Sequence, residues 1–292
     1  MIGKSGRAGT AEWSVEDELT LSFDEEPIDE LDVRIVNGAV NVVGTAGPDA
    51  RVEISQVSGP PLLVRRKGRR LTVAYDDLPW HGFLKWLDRK GWRRSAVVSV
   101  SVPAASALNV GVVGASAVVS RIAGRTAIRG VSGDATLVGL SGAVRAETVS
   151  GHLETQSLAG QLRFSSVSGS LTVIDGGSRL LKGDTVSGDM VVDLAPGPGA
   201  ADLRLSTVSG DIAVRLPEPA DARVEANTAG GAVSSAFAEL SASGGWGARQ
   251  LTGTLGDGSG AVVCSTVSGG IALLRRPPAE HDTAAAPLRK DV

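Results

Sequence analysis

A short pattern that recurs every nine residues between Val131 and Val173 restricts the fold of this chain more than any other feature. Each unit starts with an apolar residue, a small residue and Gly, and the starts fall at positions 131, 140, 149, 158 and 167. After each Gly in the chain, variable and apolar residues alternate, as they do from Gly151 to Thr155. Alternation with a period of two predicts short β-strands that bury one face. A Gly at the third position of every unit predicts a bend or a close approach of two backbone segments.

The strongest matches to the pattern begin at Val131, Val149 and Val167, so they fall on every second unit. A strand this short cannot bury its apolar face alone, so successive units must stack on one another. We therefore predict coils of two strands, each of which adds roughly 4.8 Å to the stack. Farther along the chain the spacing loosens, with starts at Val186 and Val208. The predicted fold class is all-β, a β-solenoid of stacked β-coils of about 18–22 residues.

The predicted organisation of the chain has four parts. Residues 1–11 and 276–292 form disordered termini, because both are rich in small and polar residues. Residues 12–103 form an N-terminal β region with one short amphipathic helical insertion at 78–94. Residues 104–275 form the β-solenoid of repeats.

Alternating residues in the N-terminal region predict several further strands. The alternation in residues 13–23 indicates one early strand, and the pattern at 36–42 repeats the unit of the solenoid. A basic run at 65–70 separates two apolar strands, which predicts a hairpin whose turn lies at Lys67 and Gly68. This basic tip either contacts phosphates or anionic lipid, or is a solvated hairpin end that prevents edge-to-edge strand pairing.

Residues 78–94 break the β pattern and carry three of the five tryptophans. Apolar residues at positions 80, 83, 84 and 87 follow the spacing i, i+3, i+4 and i+7, which places them on one helical face. Two interpretations remain open. Such a helix caps one end of the stack, or it binds an anionic membrane surface or a protein partner, because aromatic residues opposite Lys and Arg are typical of interfacial helices. The candidate contact residues are Trp80, Phe83, Lys85, Trp86, Arg89, Trp92 and Arg93.

Composition and charge exclude several functional classes. The net charge of −3 gives no support to nucleic-acid binding. The single cysteine, Cys264, excludes an internal disulfide framework, and its alternating apolar context predicts a small buried residue. Positions 1–30 contain no hydrophobic signal region, and no apolar run is long enough to form a membrane-spanning helix. We therefore expect a cytoplasmic protein, peripheral at the inner face of the membrane if it docks there.

No catalytic, cofactor-binding or metal-binding residue is predicted. The residue behind each repeat Gly is not regularly acidic, so the carboxylate-lined turns of the calcium-binding nonapeptide roll are not formed. The three histidines are far apart in sequence and have no second metal ligand at a suitable spacing. Asp189 and Asp211 would flank a groove in a glycan-active β-helix, although an Asp beside a turn Gly is common for local hydrogen bonding.

The sequence Thr-Val-Ser-Gly occurs four times, from Thr148, Thr185, Thr207 and Thr266, and Asp follows the second and third occurrences. Together with Val-x-Gly-x-Val-x-Val at 36–42, this motif resembles the bacterial β-strand-repeat family catalogued as domain of unknown function 4097 and labelled “putative adhesin”. The resemblance covers roughly residues 30–275. It implies a β-solenoid-like fold without known catalytic residues and, as for some relatives, a place beside cell-envelope stress systems.

These observations lead to one principal hypothesis and two alternatives. The principal hypothesis is a non-enzymatic scaffold that presents the segment 80–93 to a membrane surface or a protein partner. The first alternative is a structural protein that assembles end to end through unpaired edge strands. The second alternative is a glycan-active enzyme that uses Asp189 or Asp211.

Overall fold

The computed structural model describes residues 10–76, 93–197, 200–245 and 247–277, and every regular element in these ranges is a β-strand. The prediction of an all-β fold is therefore confirmed. The helix predicted at 78–94 lies outside the described residues except for Arg93 and Arg94, which belong to no helix. Most of the two termini predicted to be disordered also lies outside the described residues, and the first strand begins at Thr10.

The described ranges contain 26 strands, arranged in two sheets of 14 and 12 strands. In spatial order, the first sheet consists of β1 (Thr10–Val15), β6 (Leu62–Lys67), β7 (Arg70–Ala74), β3 (Glu30–Ile35), β9 (Ala107–Val112), β11 (Thr126–Gly130), β13 (Val144–Thr148), β15 (Leu162–Ser166), β17 (Leu180–Asp184), β19 (Asp202–Ser206), β25 (Gly260–Thr266), β21 (Ala222–Thr228), β24 (Arg249–Leu255) and β23 (Ser241–Gly244). The second sheet consists of β2 (Leu19–Phe23), β5 (Ala50–Ser58), β8 (Ser95–Pro103), β4 (Asn37–Thr45), β10 (Ser116–Ser120), β12 (Ala135–Val138), β14 (Leu153–Gln156), β16 (Leu171–Gly176), β18 (Met190–Leu194), β20 (Ile212–Leu216), β26 (Ile271–Arg275) and β22 (Val233–Ser235).

Neighbouring strands in the central part of both sheets are parallel and come from positions two repeat units apart in the chain. In the first sheet Val144 pairs with Leu162, and in the second sheet Leu153 pairs with Leu171. Because consecutive strands lie in opposite sheets, two strands and their connections form one coil that pairs with the coil before it. The predicted offset of two units is confirmed here, and it widens between β18 and β20, where Met190 pairs with Ile212.

The core lies between the two sheets, where the inward side chains of successive coils stack. Leu153, Leu162, Phe164 and Leu171 are at most 1% exposed, as the alternation predicted. Full burial of one such side chain contributes roughly 1.5–3 kcal/mol of transfer free energy. Each coil has few apolar residues, but stacking joins them into one continuous core.

The repeat glycines lie at the corners of the coils and form two columns, one along each edge of the stack. A Cβ atom on Gly151 would lie 2.1 Å from the carbonyl oxygen of Gly133, and one on Gly142 would lie 2.1 Å from that of Gly124. Both distances are far below van der Waals contact, so only Gly lets successive coils approach to hydrogen-bonding distance. The nine-residue period arises because successive corners alternate between the two edges, which places every second Gly in the same column.

Antiparallel strands close the N-terminal end of the stack. In the first sheet β3 lies between β7 and β9, and in the second sheet β4 lies between β8 and β10. All four pairings are parallel, so β3 and β4 form a coil of the stack, as the pattern at 36–42 predicted. Outside it, β6 and β1 extend the first sheet, and β5 and β2 extend the second, in antiparallel orientation. The prediction of one early strand at 13–23 is wrong, because the polar residues 16–18 carry the chain from β1 in the first sheet to β2 in the second.

At the C-terminal end, the order of the strands in space differs from their order in the chain. β25 lies between β19 and β21, and β26 lies between β20 and β22. The chain therefore forms the outer layer with residues 217–259 and then returns to occupy the position beneath it. Phe237 and Leu240, from the Gly- and Ser-rich part of this layer, are 7% and 8% exposed and thus cover this end of the core.

Candidate binding surfaces

The structure describes only one of the seven contact residues predicted in the tryptophan-rich segment. Trp80, Phe83, Lys85, Trp86, Arg89 and Trp92 lie outside the described residues, whereas Arg93 is exposed shortly before β8. The two flanks of the segment meet where the guanidinium group of Arg94 lies 5.0 Å from the ring centre of buried Tyr75. No helix in the ranges that the structure describes is long and apolar enough to cross a membrane. The choice between a cap and a contact surface therefore stays a prediction.

Carboxylates from the N-terminal region neutralise most of the basic hairpin tip between β6 and β7. The ion pairs are Arg65 with Glu12 and Asp76, Arg66 with Glu26, Arg69 with Asp29, and Arg70 with Glu30 and Asp32. The turn consists of Gly68 and Arg69 rather than Lys67 and Gly68, because Lys67 still belongs to β6. Since these basic residues have partners within the chain, the tip offers little free positive charge to a phosphate or a lipid headgroup.

In three of the four Thr-Val-Ser-Gly motifs, the Thr hydroxyl group bonds the corner to the preceding coil in the stack. The Thr185 hydroxyl accepts a hydrogen bond from the N–H of Gly188 at 3.2 Å and donates one to the carbonyl oxygen of Gly169 at 3.4 Å. Thr207 and Thr266 repeat both contacts on the following coils. The motif that carries the family resemblance thus has a structural role.

The acidic residues considered for glycan chemistry also connect neighbouring coils. The Asp189 carboxylate accepts the N–H of Asp211 at 2.8 Å, and the Asp211 carboxylate accepts the N–H of Gly270 at 2.7 Å. Asp134 and His152 lie at equivalent corners and accept an N–H of the next coil in the same way. Asp189 and Asp211 therefore stabilise the stack. Within the described parts of the chain, no three His, Cys, Asp or Glu residues are grouped so that they could hold a metal ion.

Cys264 is a core residue of β25. Its side chain is 0% exposed, and burial raises the pKa of the thiol to about 12. The nucleophile in cysteine chemistry is the thiolate, which this environment disfavours at neutral pH. The location agrees with the interpretation of Cys264 as a small apolar core residue.

The Val residues of four Val-Ser-Gly corners face solvent, which the alternating pattern did not predict, whereas Val149 at an earlier corner packs partly against the core. Val167, Val186, Val208 and Val267 are 46–52% exposed. The N–H groups of the last three bond to the carbonyl oxygen of the preceding Val in this group. These four residues form an exposed apolar ridge along one edge of the stack. Strict alternation fails here because the corner places two consecutive outward residues between an inward Thr and an inward Gly.

The outer face of the second sheet has an apolar patch around β16, β18, β20 and β26. A shallow groove of about 300 Å³ on this face is lined by Ile174, Val191 and Leu274 among others. At its edge Arg215 contacts Asp193 at 2.5 Å. The pKa of Asp193 lies below its ordinary value because Arg215 donates hydrogen bonds to the carboxylate, although burial acts in the opposite direction.

The outer face of the first sheet carries charged and polar side chains. A recess of about 470 Å³ near the N-terminal end is lined by Glu30, Asp32, Arg70 and Asn109 among others. The Asn109 amide donates hydrogen bonds to Glu30 at 3.2 Å and to Asp32 at 2.7 Å. Burial raises the pKa of Asp32 despite the opposing effects of Asn109 and Arg70. The carboxylates of Glu30 and Asp32 therefore already have partners among the residues that line the recess.

Farther along the same face, four basic residues lie side by side on neighbouring strands. Arg145, Arg163, Lys182 and Arg204 are register partners on β13, β15, β17 and β19, and we call them the cation row. The sequence analysis did not single them out. Their spacing in the sequence is uneven. The alignment of the four residues can be recognised only when the length of each coil is known and when each position is known to point outward.

The longer coils enclose a cavity of about 610 Å³ at the edge where the chain leaves β16, β18 and β20. Loop residues such as Gly176, Ala195, Pro217 and Asp221 line it. The glycine column of this edge ends here, since a Cβ atom on Gly177 would lie 3.8 Å from its nearest neighbour. The lengthened Pro- and Gly-containing loops predicted for these coils therefore hold this edge open.

Comparison with known proteins finds distant similarities. No protein-family model and no curated protein sequence matches the chain. A “putative cell adhesion protein” from Clostridium sporogenes is similar over 89% of this chain and 100% of its own, with 10% identity and a TM-score of 0.26. A “putative adhesin” and a “putative lipid binding protein” from Parabacteroides distasonis have identities of 13% and 12% and TM-scores of 0.35 and 0.36; they cover 89% and 88% of this chain and 97% of each of their own chains. Similarities at this level define neither the family nor the function of this chain.

Proposed function

We propose that the protein is a non-enzymatic β-solenoid scaffold whose outer surfaces bind other macromolecules. The supporting observation is the role of the recurring polar residues, because the Thr185 hydroxyl and the Asp189 carboxylate, with their equivalents, form hydrogen bonds to neighbouring coils. Repeated contacts of this kind give a regular frame in which each coil is held by its neighbours. The outward positions of each strand are then free to differ from coil to coil, and binding is carried by these surfaces.

We further propose that this frame docks on an anionic membrane surface through residues 80–93. Support comes from the sequence, in which Trp80, Trp86 and Trp92 are interspersed with Lys and Arg. Further support comes from the flanks, where Tyr75 and Arg94 contact each other and join the segment to the stack. Aromatic rings bind at the headgroup level of a bilayer, and cations are attracted to anionic lipid.

Co-sedimentation with anionic vesicles, combined with tryptophan emission, tests the docking. We expect the wild-type protein to pellet with phosphatidylserine-containing vesicles, to show a blue shift of emission, and to bind less as salt concentration rises. Trp86→Ala should weaken binding by at least about fivefold, because an interfacial Trp contributes both apolar area and anchoring. The control Val186→Ser removes an exposed apolar side chain from the corner ridge and should leave binding unchanged.

Four results would contradict this function. Equal binding to neutral vesicles would contradict the electrostatic part, and the absence of pelleting would contradict membrane docking and direct attention to a protein partner. Filaments that grow with protein concentration in electron micrographs would favour end-to-end assembly. Hydrolysis of a polysaccharide that is lost in Asp189→Asn would favour an enzyme.

A further inference from the structure

The cation row is a continuous line of like charges, which is unfavourable in a β-sheet. Strand register places Arg145, Arg163, Lys182 and Arg204 directly beside one another. Neighbouring strands are roughly 4.8 Å apart, so the row extends for about 14 Å. Like charges on directly paired residues destabilise strand pairing. The inward residues of these strands form the core, and they would pack equally well if the outward positions carried other polar residues. The packing of the stack therefore does not require four successive cations.

Carboxylates on the same face compensate the cation row incompletely. Glu147, Asp184 and Asp202 contact Arg145, Lys182 and Arg204 at 2.5, 3.2 and 3.1 Å. Arg163 is an exposed, outward residue of β15. Its outward neighbours along the chain are Gln161, just before the strand, and Ser165, and both are uncharged. Among the residues that the structure describes, no carboxylate pairs with Arg163.

The row therefore carries an excess of positive charge, although the chain as a whole has a net charge of −3. Arg129 of β11 lies beside the row, in register with Glu147, whose carboxylate it contacts at 3.1 Å. Burial acts to raise the pKa of Glu147, but the hydrogen bonds from Arg145 and Arg129 outweigh it and lower the pKa. The four cations of the row thus face three carboxylates, one of which also pairs with Arg129, so the row keeps an excess of at least one positive charge.

We propose that the cation row binds a linear acidic polysaccharide, with one carboxylate or sulfate group per sugar, laid across the strands of the first sheet. The side chains of Arg145, Lys182 and Arg204 are 66%, 51% and 61% exposed, so their charged groups are accessible. A polymer that crosses the strands meets one cation per strand. Anions that recur once per sugar match cations that recur once per strand, and the uncompensated Arg163 lies within the line. The cation row includes none of residues 80–93.

Nucleic acid and lipid fit this face less well. Duplex DNA carries one charge per about 1.7 Å of helix axis, which is much denser than one cation per strand in the cation row. Single strands are usually bound by stacking on aromatic side chains, but the one aromatic residue in β13, β15, β17 and β19, Phe164, is 0% exposed. These four strands also carry no exposed large apolar side chain that would insert into a membrane.

Fluorescence anisotropy with labelled polygalacturonate, at low and at high salt, tests this assignment. We expect the wild-type protein to bind at low salt and to release the polymer at high salt. Arg163→Gln should weaken binding by about threefold to fivefold, and the triple variant Arg145→Gln, Arg163→Gln, Lys182→Gln by more than about 30-fold. The matched control Arg51→Gln removes an exposed Arg from the second sheet and should bind as the wild type does.

Circular dichroism and urea unfolding of every variant establish that the fold is kept. The assignment is overturned if the wild type does not bind, if the triple variant binds with wild-type affinity, or if duplex DNA displaces polygalacturonate at equal charge concentration. The result is separable from membrane docking. Trp86→Ala should retain polygalacturonate binding, and the triple variant should retain binding to anionic vesicles.

Discussion

At the scale of single residues, the corner motif divides its positions between two environments. Thr185 is 7% exposed and its hydroxyl contacts the backbone of two corners, whereas the next residue, Val186, is 48% exposed. Thr and Val have nearly the same shape. Their contributions to stability at these two positions therefore depend on the hydroxyl group and on burial, and not on volume.

Substitution of each of the two residues gives a direct test. We expect Thr185→Val to lower the free energy of unfolding by about 1–3 kcal/mol, because the buried N–H of Gly188 loses its acceptor. Val186→Ser should change it by less than about 0.5 kcal/mol. Urea unfolding at neutral pH measures both variants. Similar losses in the two would contradict the assignment of inward and outward positions.

The same residues show what the sequence can predict. Gly spacing predicted the coil length, because steric contact with the preceding coil admits only Gly at corners such as Gly151. The exposure of Val186 was not predictable from alternation, because a corner interrupts the period of two. The cation row was hidden for another reason. Its members are separated by at least two repeat units in the sequence, and only the pairing of complete coils brings Arg163 beside Lys182.

At the scale of strands, long-range ion pairs decide which charges stay available for binding. The basic run at 65–70 looks like a binding site in the sequence, yet Arg65 is paired with Glu12, which is distant in the chain. Arg163 is isolated in the sequence, yet it joins a row of cations in the sheet. The local charge in the sequence therefore overestimates the free positive charge of the run at 65–70 and does not reveal the cation row. Both depend on which strands are neighbours in the sheet.

The ion pair between Arg215 of β20 and Asp193 of β18 makes stability depend on pH. Hydrogen bonds from Arg215 lower the pKa of Asp193 below its ordinary value of 3.8. The folded state therefore holds the carboxylate ionised more strongly than the unfolded chain does. The pair stabilises the fold at pH values above the ordinary pKa, and this contribution is lost as the pH falls through the lowered pKa.

We expect Arg215→Gln to lower the free energy of unfolding by about 1 kcal/mol at neutral pH, since Arg215 is 44% exposed and the pair is partly screened. The difference from wild type should shrink in strong acid, where Asp193 is protonated. Urea unfolding at about pH 7 and about pH 2.5 measures this change. Arg51→Gln, which breaks an exposed pair with Glu53, serves as the control. A difference for Arg215→Gln that is the same at both pH values would contradict the role of Asp193.

At the scale of the whole molecule, the order of the coils is the property that the repeat could not reveal. All coils present the same inward pattern, so the period identifies a coil but not its neighbours. The last coil, β25 with β26, lies inside the stack between the coil of β19 and β20 and the layer of β21 and β22. At both ends the parallel stack is followed by antiparallel strands, β1 and β6 at one end and β24 and β23 at the other.

Truncation tests this order. A chain that ends at Asp257 lacks β25 and β26 and loses the buried side chains of Val262, Cys264, Ile271 and Leu273. We expect a loss of more than about 5 kcal/mol in the free energy of unfolding, because several core side chains are removed and the layer of β21 and β22 loses the coil on which it rests. A chain that ends at Pro277 keeps both strands and should unfold as the full chain does.

Limited proteolysis distinguishes this arrangement from a stack built in chain order. If β25 and β26 formed the outermost coil, their removal would shorten the stack and leave the preceding layer protected. Because they lie beneath that layer, their removal should expose it, and the first cleavages should fall within residues 217–257. Residues 104–194, whose coils keep their neighbours on both sides, should stay protected and serve as the internal reference. Cleavage confined to the new C-terminus would contradict the position of the last coil.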